Sequence, residues 1–148
     1  MNALLLYPLV IVAGALQAMG NCMNAQLRNS VVNPWLASII SFALILAFFV
    51  VAFAINPKPL PSIESIYTMP WWAPLGGLAG AVAVFVGLTM VDKIGAGPLN
   101  GLIITANIIA SVVIDHYGFL NMPAHPISVW RILGTILMVG GITLIARF

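Results

Sequence analysis

Five long apolar stretches, separated by short polar segments, make up most of this chain of 148 residues. Only 5% of its residues are charged and 62% are hydrophobic, whereas a soluble domain carries about 25% charged residues. A water-facing surface cannot be covered with so few charges, so the lipid bilayer must be the solvent. Because a spanning helix needs about 20 apolar residues, we predict an all-α membrane protein of five transmembrane helices in a single domain, residues 1–148.

Polar and helix-breaking residues predict where these helices begin and end. Polar residues 26–30 close the first stretch, and Pro34 suits the first turn of the next helix. Four prolines lie within residues 56–70, and residues 92–98 have the Gly and Pro content of a tight turn. Residues 116–128 are predicted to form a loop. The predicted helices are residues 3–24, residues 34–55, a segment from after Trp72 to residue 91, residues 98–115 and residues 129–147.

The basic residues show almost no bias between the two sides of this five-helix arrangement. One side carries Lys58 and Arg131, and the other carries Arg28, Lys93 and Arg147. Since an excess of Lys and Arg normally fixes the cytoplasmic side, a balanced chain is expected to insert in both orientations. Two oppositely inserted copies would then form an antiparallel homodimer, the two-chain equivalent of an inverted repeat. The alternative is that the small bias suffices and all copies share one orientation.

A polar stripe runs along the first predicted helix. Gly14, Gln17, Asn21, Asn24 and Arg28 follow spacings of three and four residues, which place them on one helix face. Amide side chains are costly against lipid, so this face should point towards protein or water. We interpret it as one wall of a cavity for a small-molecule substrate; the alternative is that the amides hold neighbouring helices together.

The fourth predicted helix offers a second polar wall. Asn100, Asn107, Ser111 and Asp115 fall on one broad face at about 100° per residue. Asp115 is a candidate for coupling transport to protons or for pairing with a cation, with His116 as a pH-sensitive neighbour. The alternative for both residues is ordinary placement at a helix end in the membrane interface.

Glycines mark where helices are expected to approach closely. The third predicted helix has Gly76 and Gly80 in GxxxG spacing, continued by Gly87. The fifth has Gly134 and Gly141, seven residues apart on one face. We predict the dimer seam at Gly134 and Gly141, with packing inside one subunit as the competing interpretation.

No catalytic arrangement is visible in the sequence. It lacks HExxH, CxxC and phosphate-binding motifs, so we predict that the protein is not an enzyme and needs no cofactor. His116 and His125 lack metal-ligand spacing, and no metal site is predicted. The few basic residues do not form a nucleic-acid surface. Asp92 and Lys93 are interpreted as solvated loop charges.

Four blocks of sequence carry a family resemblance. GALQAMGNCMNAQLRNSVVNPWLASIISF, PWWAPLGGLAGAV, ANIIASVVIDHYGFLNMP and RILGTILMVGGITLI occur in the order and spacing of the YdcZ-like branch of the drug/metabolite transporter superfamily, which is EamA-like. The chain resembles this five-helix branch over nearly its whole length. The resemblance implies half of a ten-helix transporter, an antiparallel homodimer and a location in a bacterial inner membrane.

The resemblance also narrows the expected substrate. The related small multidrug resistance proteins exchange protons and cations at a glutamate on the first helix, whereas this chain has Gln17 in the stripe and no acid there. A neutral polar or zwitterionic metabolite therefore fits better than a hydrophobic cation. We predict a secondary transporter of a small polar metabolite. The alternatives are a non-transporting assembly or regulatory subunit of a membrane complex, and a channel.

Overall fold

The computed structural model describes residues 6–148. Along these residues the chain forms α-helices joined by short connections, and five of the helices are long and apolar enough to cross a membrane. In chain order the helices are α1, Leu6–Val31; α2, Pro34–Ile55; α3, Ile63–Tyr67; α4, Gly76–Ile94; α5, Ala96–Tyr117; and α6, Val129–Arg147.

The predicted fold class is confirmed. The five candidate spans contain 19 to 26 residues, and at about 1.5 Å per residue they match a hydrocarbon core about 30 Å thick. Large apolar side chains on these helices are largely uncovered by the chain itself; Leu9, Phe49 and Leu137 are 66%, 62% and 75% exposed. A soluble protein would bury such side chains, whereas lipid solvates them.

The first helix is longer than the sequence predicts. Its predicted start at residue 3 lies outside the described residues, and its predicted end at residue 24 is wrong, because α1 continues to Val31. Residues 26–30 are polar, but none of them breaks a helix; the Ser30 hydroxyl donates to the carbonyl oxygen of Gln26 at 2.9 Å within the helix. The chain turns only at Val32, where φ is 58°.

The start of α2 follows the sequence closely. Asn33 is the N-cap residue, and its side-chain oxygen accepts hydrogen bonds from the backbone N–H groups of Trp35 and Leu36 at 2.9 and 3.2 Å. Pro34 occupies the first turn, where its missing N–H would be unpaired in any case. The helix then runs to Ile55, the predicted end.

The proline-rich connection after α2 is not entirely irregular. As predicted, no continuous helix fills residues 56–70, but the five-residue helix α3 lies within it. Ser62 caps α3 by accepting from the backbone N–H of Ser65 at 3.2 Å. A short 3-10 turn, Ala73–Leu75, then leads into α4, so the third membrane span is Ala73–Ile94.

The predicted seven-residue turn at 92–98 is wrong. Asp92 and Lys93 belong to the last turn of α4, and α5 begins at Ala96. Gly95 alone separates the two helices, with φ at 86°. Pro98 is the third residue of α5, where the absence of its N–H removes no helical hydrogen bond.

The loop between α5 and α6 begins two residues later than predicted. α5 continues to Tyr117 and ends at Gly118, whose left-handed conformation is a common helix terminus. The loop contains a 3-10 turn, Phe119–Asn121, with φ of 58° at Leu120. Ser128 then caps α6 by accepting from the backbone N–H of Arg131 at 3.3 Å.

The chain forms two compact units, one ending at Asp92 and one covering Lys93–Phe148. In the first unit α1 packs against α2, and Ala25 and Ala37 are almost fully buried. In the second unit α5 packs against α6, where the Ile142 side chain occupies the space beside Gly101. The prediction that residues 1–148 form a single domain stays a prediction.

Candidate functional site

The predicted polar stripe of the first helix lies within α1. Gln17, Asn21 and Asn24 differ in how far the chain covers them: Gln17 is exposed, Asn24 is half-buried and Asn21 is buried, with 7% of its surface exposed. The stripe is therefore exposed at Gln17 and covered by the chain at Asn21.

Asn21 is the point at which α1 approaches α4 in the first unit. Its side-chain oxygen lies 3.0 Å from the position that a β-carbon on Gly87 would occupy. Such a distance is tighter than ordinary side-chain contacts, so glycine at position 87 makes the approach possible. Gly87 is thus the one member of the predicted third-helix glycine series with a described contact; around Gly76 and Gly80 the described part of the chain leaves at least 4 Å open.

At the end of the same stripe Arg28 forms an ion pair across the first unit. Its guanidinium nitrogen lies 3.1 Å from the Asp92 carboxylate, and the amide nitrogen of Asn29 donates to the same oxygen at 3.0 Å. The two charged side chains are 26% and 36% exposed. Asp92 is therefore a helix-borne partner of Arg28, and its interpretation as a loop charge is wrong.

The second predicted wall lies on α5 in the second unit. Asn100 is half-buried and donates from its amide nitrogen to the Ala96 carbonyl oxygen at 2.8 Å. Asn107 and Ser111 are exposed on the same helix face. The stripes on α1 and α5 thus belong to different units.

Asp115 lies in the last turn of α5 and pairs with a cation, one of its two predicted roles. Its carboxylate oxygen accepts from the Arg131 guanidinium at 3.3 Å, and its backbone carbonyl oxygen accepts from the His125 backbone N–H at 2.7 Å. His116 accepts a hydrogen bond at its ring Nδ1 from the backbone N–H of Ile127 at 3.2 Å. These hydrogen bonds hold the loop between α5 and α6 against the C-terminal end of α5. Whether Asp115 couples transport stays a prediction.

Four of the six predicted binding side chains make no hydrogen bond within residues 6–148. They are Gln17, Asn24, Asn107 and Ser111. Thr135 and Thr143 on α6 behave differently, because their hydroxyls donate back to carbonyl oxygens one turn earlier. The unpartnered amides and hydroxyl are therefore available to groups that are not part of the described chain.

Two larger cavities open on the units. In the first unit an apolar groove of about 560 Å³ lies between α2 and α4. Trp35 and Phe85 contribute to its lining, with ring centroids 4.5 Å apart. In the second unit a cleft of about 410 Å³ lies between α5 and α6 and includes Ser111 and Asp115. Residue spacing does not tell which helices pack against each other, so of the second lining the sequence predicts only Ser111 and Asp115.

The predicted dimer seam on α6 is uncovered by the described chain. A β-carbon on Gly134 or Gly141 would have no neighbour within 4 Å among the described residues. Both glycines thus present open backbone to whatever lies beside α6.

The family of this chain follows from a match that covers nearly all of it. Residues 5–144 match the model of the family described as "Putative inner membrane exporter, YdcZ". The chain belongs to the YdcZ family. Neither a curated protein nor a solved structure matches it.

Membership of the YdcZ family confirms the resemblance found in the four sequence blocks. The inner-membrane location is confirmed by the family description together with the five membrane-crossing helices. The description also supports a membrane transporter. Among the described residues of this YdcZ-family chain, no cluster of three or more metal-ligating side chains occurs.

Proposed function

We propose that this YdcZ-family chain is a secondary transporter of a small polar metabolite that works by alternating access as an antiparallel homodimer. The observation that carries the proposal is the set of unpartnered polar side chains on apolar helices. An amide without a hydrogen bond in hydrocarbon costs several kcal/mol, about 2–7 by transfer measurements. A substrate with several polar groups would satisfy these side chains when bound and release them when it leaves.

The proposed binding residues come from both stripes. Gln17, Asn21 and Asn24 on α1 supply one set, and Asn100, Asn107 and Ser111 on α5 supply the other. Amides donate and accept hydrogen bonds without carrying charge. They therefore suit a neutral or zwitterionic metabolite better than a hydrophobic cation.

The antiparallel arrangement is supported by the balanced basic residues and by the odd number of spans. Transporters with inverted repeats bind substrate between two oppositely oriented halves and alternate by exchanging their conformations. In the proposed arrangement a second copy of this chain supplies the opposite half. The open glycine face of α6, Gly134 and Gly141, is the proposed seam, and Asp115 is the proposed coupling residue.

Efflux from proteoliposomes tests the transport function. Vesicles are loaded with a defined mixture of amino acids, polyamines and sugars, and the released compounds are identified by mass spectrometry. We expect selective efflux of a polar metabolite, and we expect Gln17→Met with Asn24→Leu to lower it by about tenfold or more, because the apolar substitutes leave substrate groups unpaired. Met19→Leu, at a position 59% exposed on α1, is the matched control.

Either of two results would reject this proposal. One is efflux no faster than from empty vesicles for every compound in the mixture. The other is unchanged efflux by the Gln17→Met/Asn24→Leu variant with an unchanged elution profile. A partner protein co-purifying at fixed stoichiometry, without efflux, would favour the assembly-subunit alternative.

Cysteine labelling tests the orientation. In a Cys22→Ser background, Leu60→Cys and Phe148→Cys place single thiols at positions 81% and 95% exposed. We expect each thiol to react in part from either side of the membrane with an impermeant maleimide. Labelling of each site from one side only would rule out the antiparallel homodimer.

A further inference from the structure

The cleft between α5 and α6 combines a charged end with an apolar end inside one unit. Its volume of about 410 Å³ falls within the range of about 300–1,000 Å³ that small-molecule sites occupy. Asp115 and Arg131 lie at the loop end of the two helices, and Ile108 and Met138 lie seven residues farther along α5 and α6. Seven helical residues span about 10 Å, so a ligand of that length would reach from the charged end to the apolar end.

Both helices line the cleft with one regular face. On α5 the lining residues follow Ile108 at spacings of three, four and seven, and on α6 they follow Arg131 at the same spacings. Ser111 and Thr135 place hydroxyls between the two ends. Gly134 leaves the middle of the cleft open, because a β-carbon there would have no neighbour within 4 Å among the described residues.

The two charges stand at the unfavourable ends of their helices. Asp115 is in the last turn of α5, where the helix dipole is negative, and Arg131 is in the first turn of α6, where the dipole is positive. Exchanging the two residues would satisfy both dipoles and keep the ion pair. Local rules of this kind are broken mainly at functional sites.

The ion pair itself is incomplete. It joins one guanidinium nitrogen of Arg131 to one carboxylate oxygen of Asp115 at 3.3 Å, with side chains 39% and 33% exposed. A bidentate pair would use two nitrogens and both oxygens. The second Asp115 oxygen accepts no hydrogen bond from residues 6–148. Within these residues the only other hydrogen bond of the Arg131 guanidinium comes from the same nitrogen and goes to the His125 carbonyl oxygen at 3.5 Å.

We propose that this cleft binds a zwitterion with an apolar tail, that is, a metabolite of the amino-acid type. Its carboxylate pairs with Arg131 and its ammonium group pairs with Asp115. The ligand thus bonds to the guanidinium and carboxylate atoms that the ion pair between Arg131 and Asp115 does not use. The Ser111 hydroxyl accepts from the ammonium group, and the tail extends over Gly134 towards Met138. This assignment places Gly134 in the cleft and limits the proposed dimer seam to Gly141. The inference rests on the proposed transport function, since it names the class of substrate, and it adds Arg131 to the binding residues.

Matched probes separate the contribution of each charge. Leucine, methionine and phenylalanine are compared with the amine and the carboxylic acid that keep the same tail, by isothermal titration calorimetry on lipid-free protein in detergent. We expect at least one amino acid to bind about tenfold more tightly than its amine or its acid, because each analogue leaves one charge of the site unmatched. Equal binding of the three forms, or no binding of any amino acid, would overturn the inference.

Variants test whether binding occurs in this cleft. Asp115→Asn combined with Arg131→Gln removes both charges without leaving either unpaired, and we expect it to lower amino-acid affinity by about tenfold or more. Gly134→Leu fills the open middle and should do the same while leaving the ion pair intact. Leu137→Ala, at a position 75% exposed on α6, is the control. Unchanged affinity in both cleft variants would place the site elsewhere.

A zwitterionic lipid headgroup presents the same chemistry as an amino acid. The titration is therefore repeated in nanodiscs of phosphatidylcholine and in nanodiscs containing phosphatidylethanolamine. Amino-acid binding in both supports a soluble substrate. The protein could instead bind no amino acid and be more stable in the nanodiscs that contain phosphatidylethanolamine, with the gain lost in the Asp115→Asn/Arg131→Gln variant. That result would assign the cleft to lipid and overturn the inference. Continued efflux of another polar metabolite would then leave the transport function intact.

Discussion

The side-chain oxygen of Asn21 rests against the backbone of Gly87, 3.0 Å from where a β-carbon would stand. Gly87→Ala would therefore force α1 and α4 apart by a few tenths of an ångström or displace the amide. Overpacking of this kind costs about 1–3 kcal/mol. We expect a lower free energy of unfolding in an SDS titration, whereas Gly80→Ala, with open space around it, should stay near the wild type. Equal stability of the two variants would show that the contact does not constrain packing.

The pair formed by Arg28 and Asp92 is expected to couple the ends of α1 and α4. Arg28→Gln or Asp92→Asn alone leaves one partner charge uncompensated, whereas the double variant leaves none. Since partly exposed pairs contribute about 0.2–1 kcal/mol, the double variant should lose less stability than the sum of the single losses. Lys93→Gln, beside Asp92 but outside any ion pair of the described residues, serves as the control. Strict additivity in the thermal melts would contradict the coupling.

The cap at Asn33 makes a separate prediction about the start of α2. Asn33→Ala removes the acceptor for two backbone N–H groups and should cost about 1 kcal/mol of stability, while Asn33→Ser should keep most of it. Hydrogen exchange at Trp35 and Leu36 measures the effect locally. Exchange rates that do not change in Asn33→Ala would mean that other groups cap the helix.

The open glycine face of α6 predicts where two copies meet. Gly141→Leu places a bulky side chain on the proposed seam and should shift the protein towards monomers, as counted by single-molecule photobleaching in vesicles. Gly76→Leu, at an equally open glycine on α4, should leave the count unchanged. An unaltered dimer fraction in Gly141→Leu would move the seam away from this face.

The membrane spans could be predicted from sequence because hydropathy and helix breakers are local properties. α2 and α6 begin where the sequence places them, because Asn33 and Ser128 cap the helix starts and Pro34 suits a first turn. α1 is longer than its polar residues predict, because polarity alone does not break a helix. The turn at Gly95 is shorter than predicted, because Pro98 does not end a helix when it lies in the first turn.

The partners of the polar residues could not be predicted from sequence. Spacing placed Asn21 and Arg28 on one face, but it carried no information on Gly87 or Asp92, which lie more than 60 residues away. The same holds for Arg131, which no pattern singled out. Its contact with Asp115 depends on how the intervening loop folds back, with the His125 backbone bound to the end of α5.

The five basic and three acidic side chains all lie in loops or in the first or last turns of helices, so no fixed charge stands in the middle of the hydrocarbon. Moving one elementary charge through a membrane voltage of 100 mV involves about 2.3 kcal/mol. Since the protein's own charges stay near the membrane surfaces, the voltage acts chiefly on whatever crosses between them. Carrying a zwitterion moves no net charge, so a current recorded by an electrode across the bilayer would report only the ion that is coupled to transport.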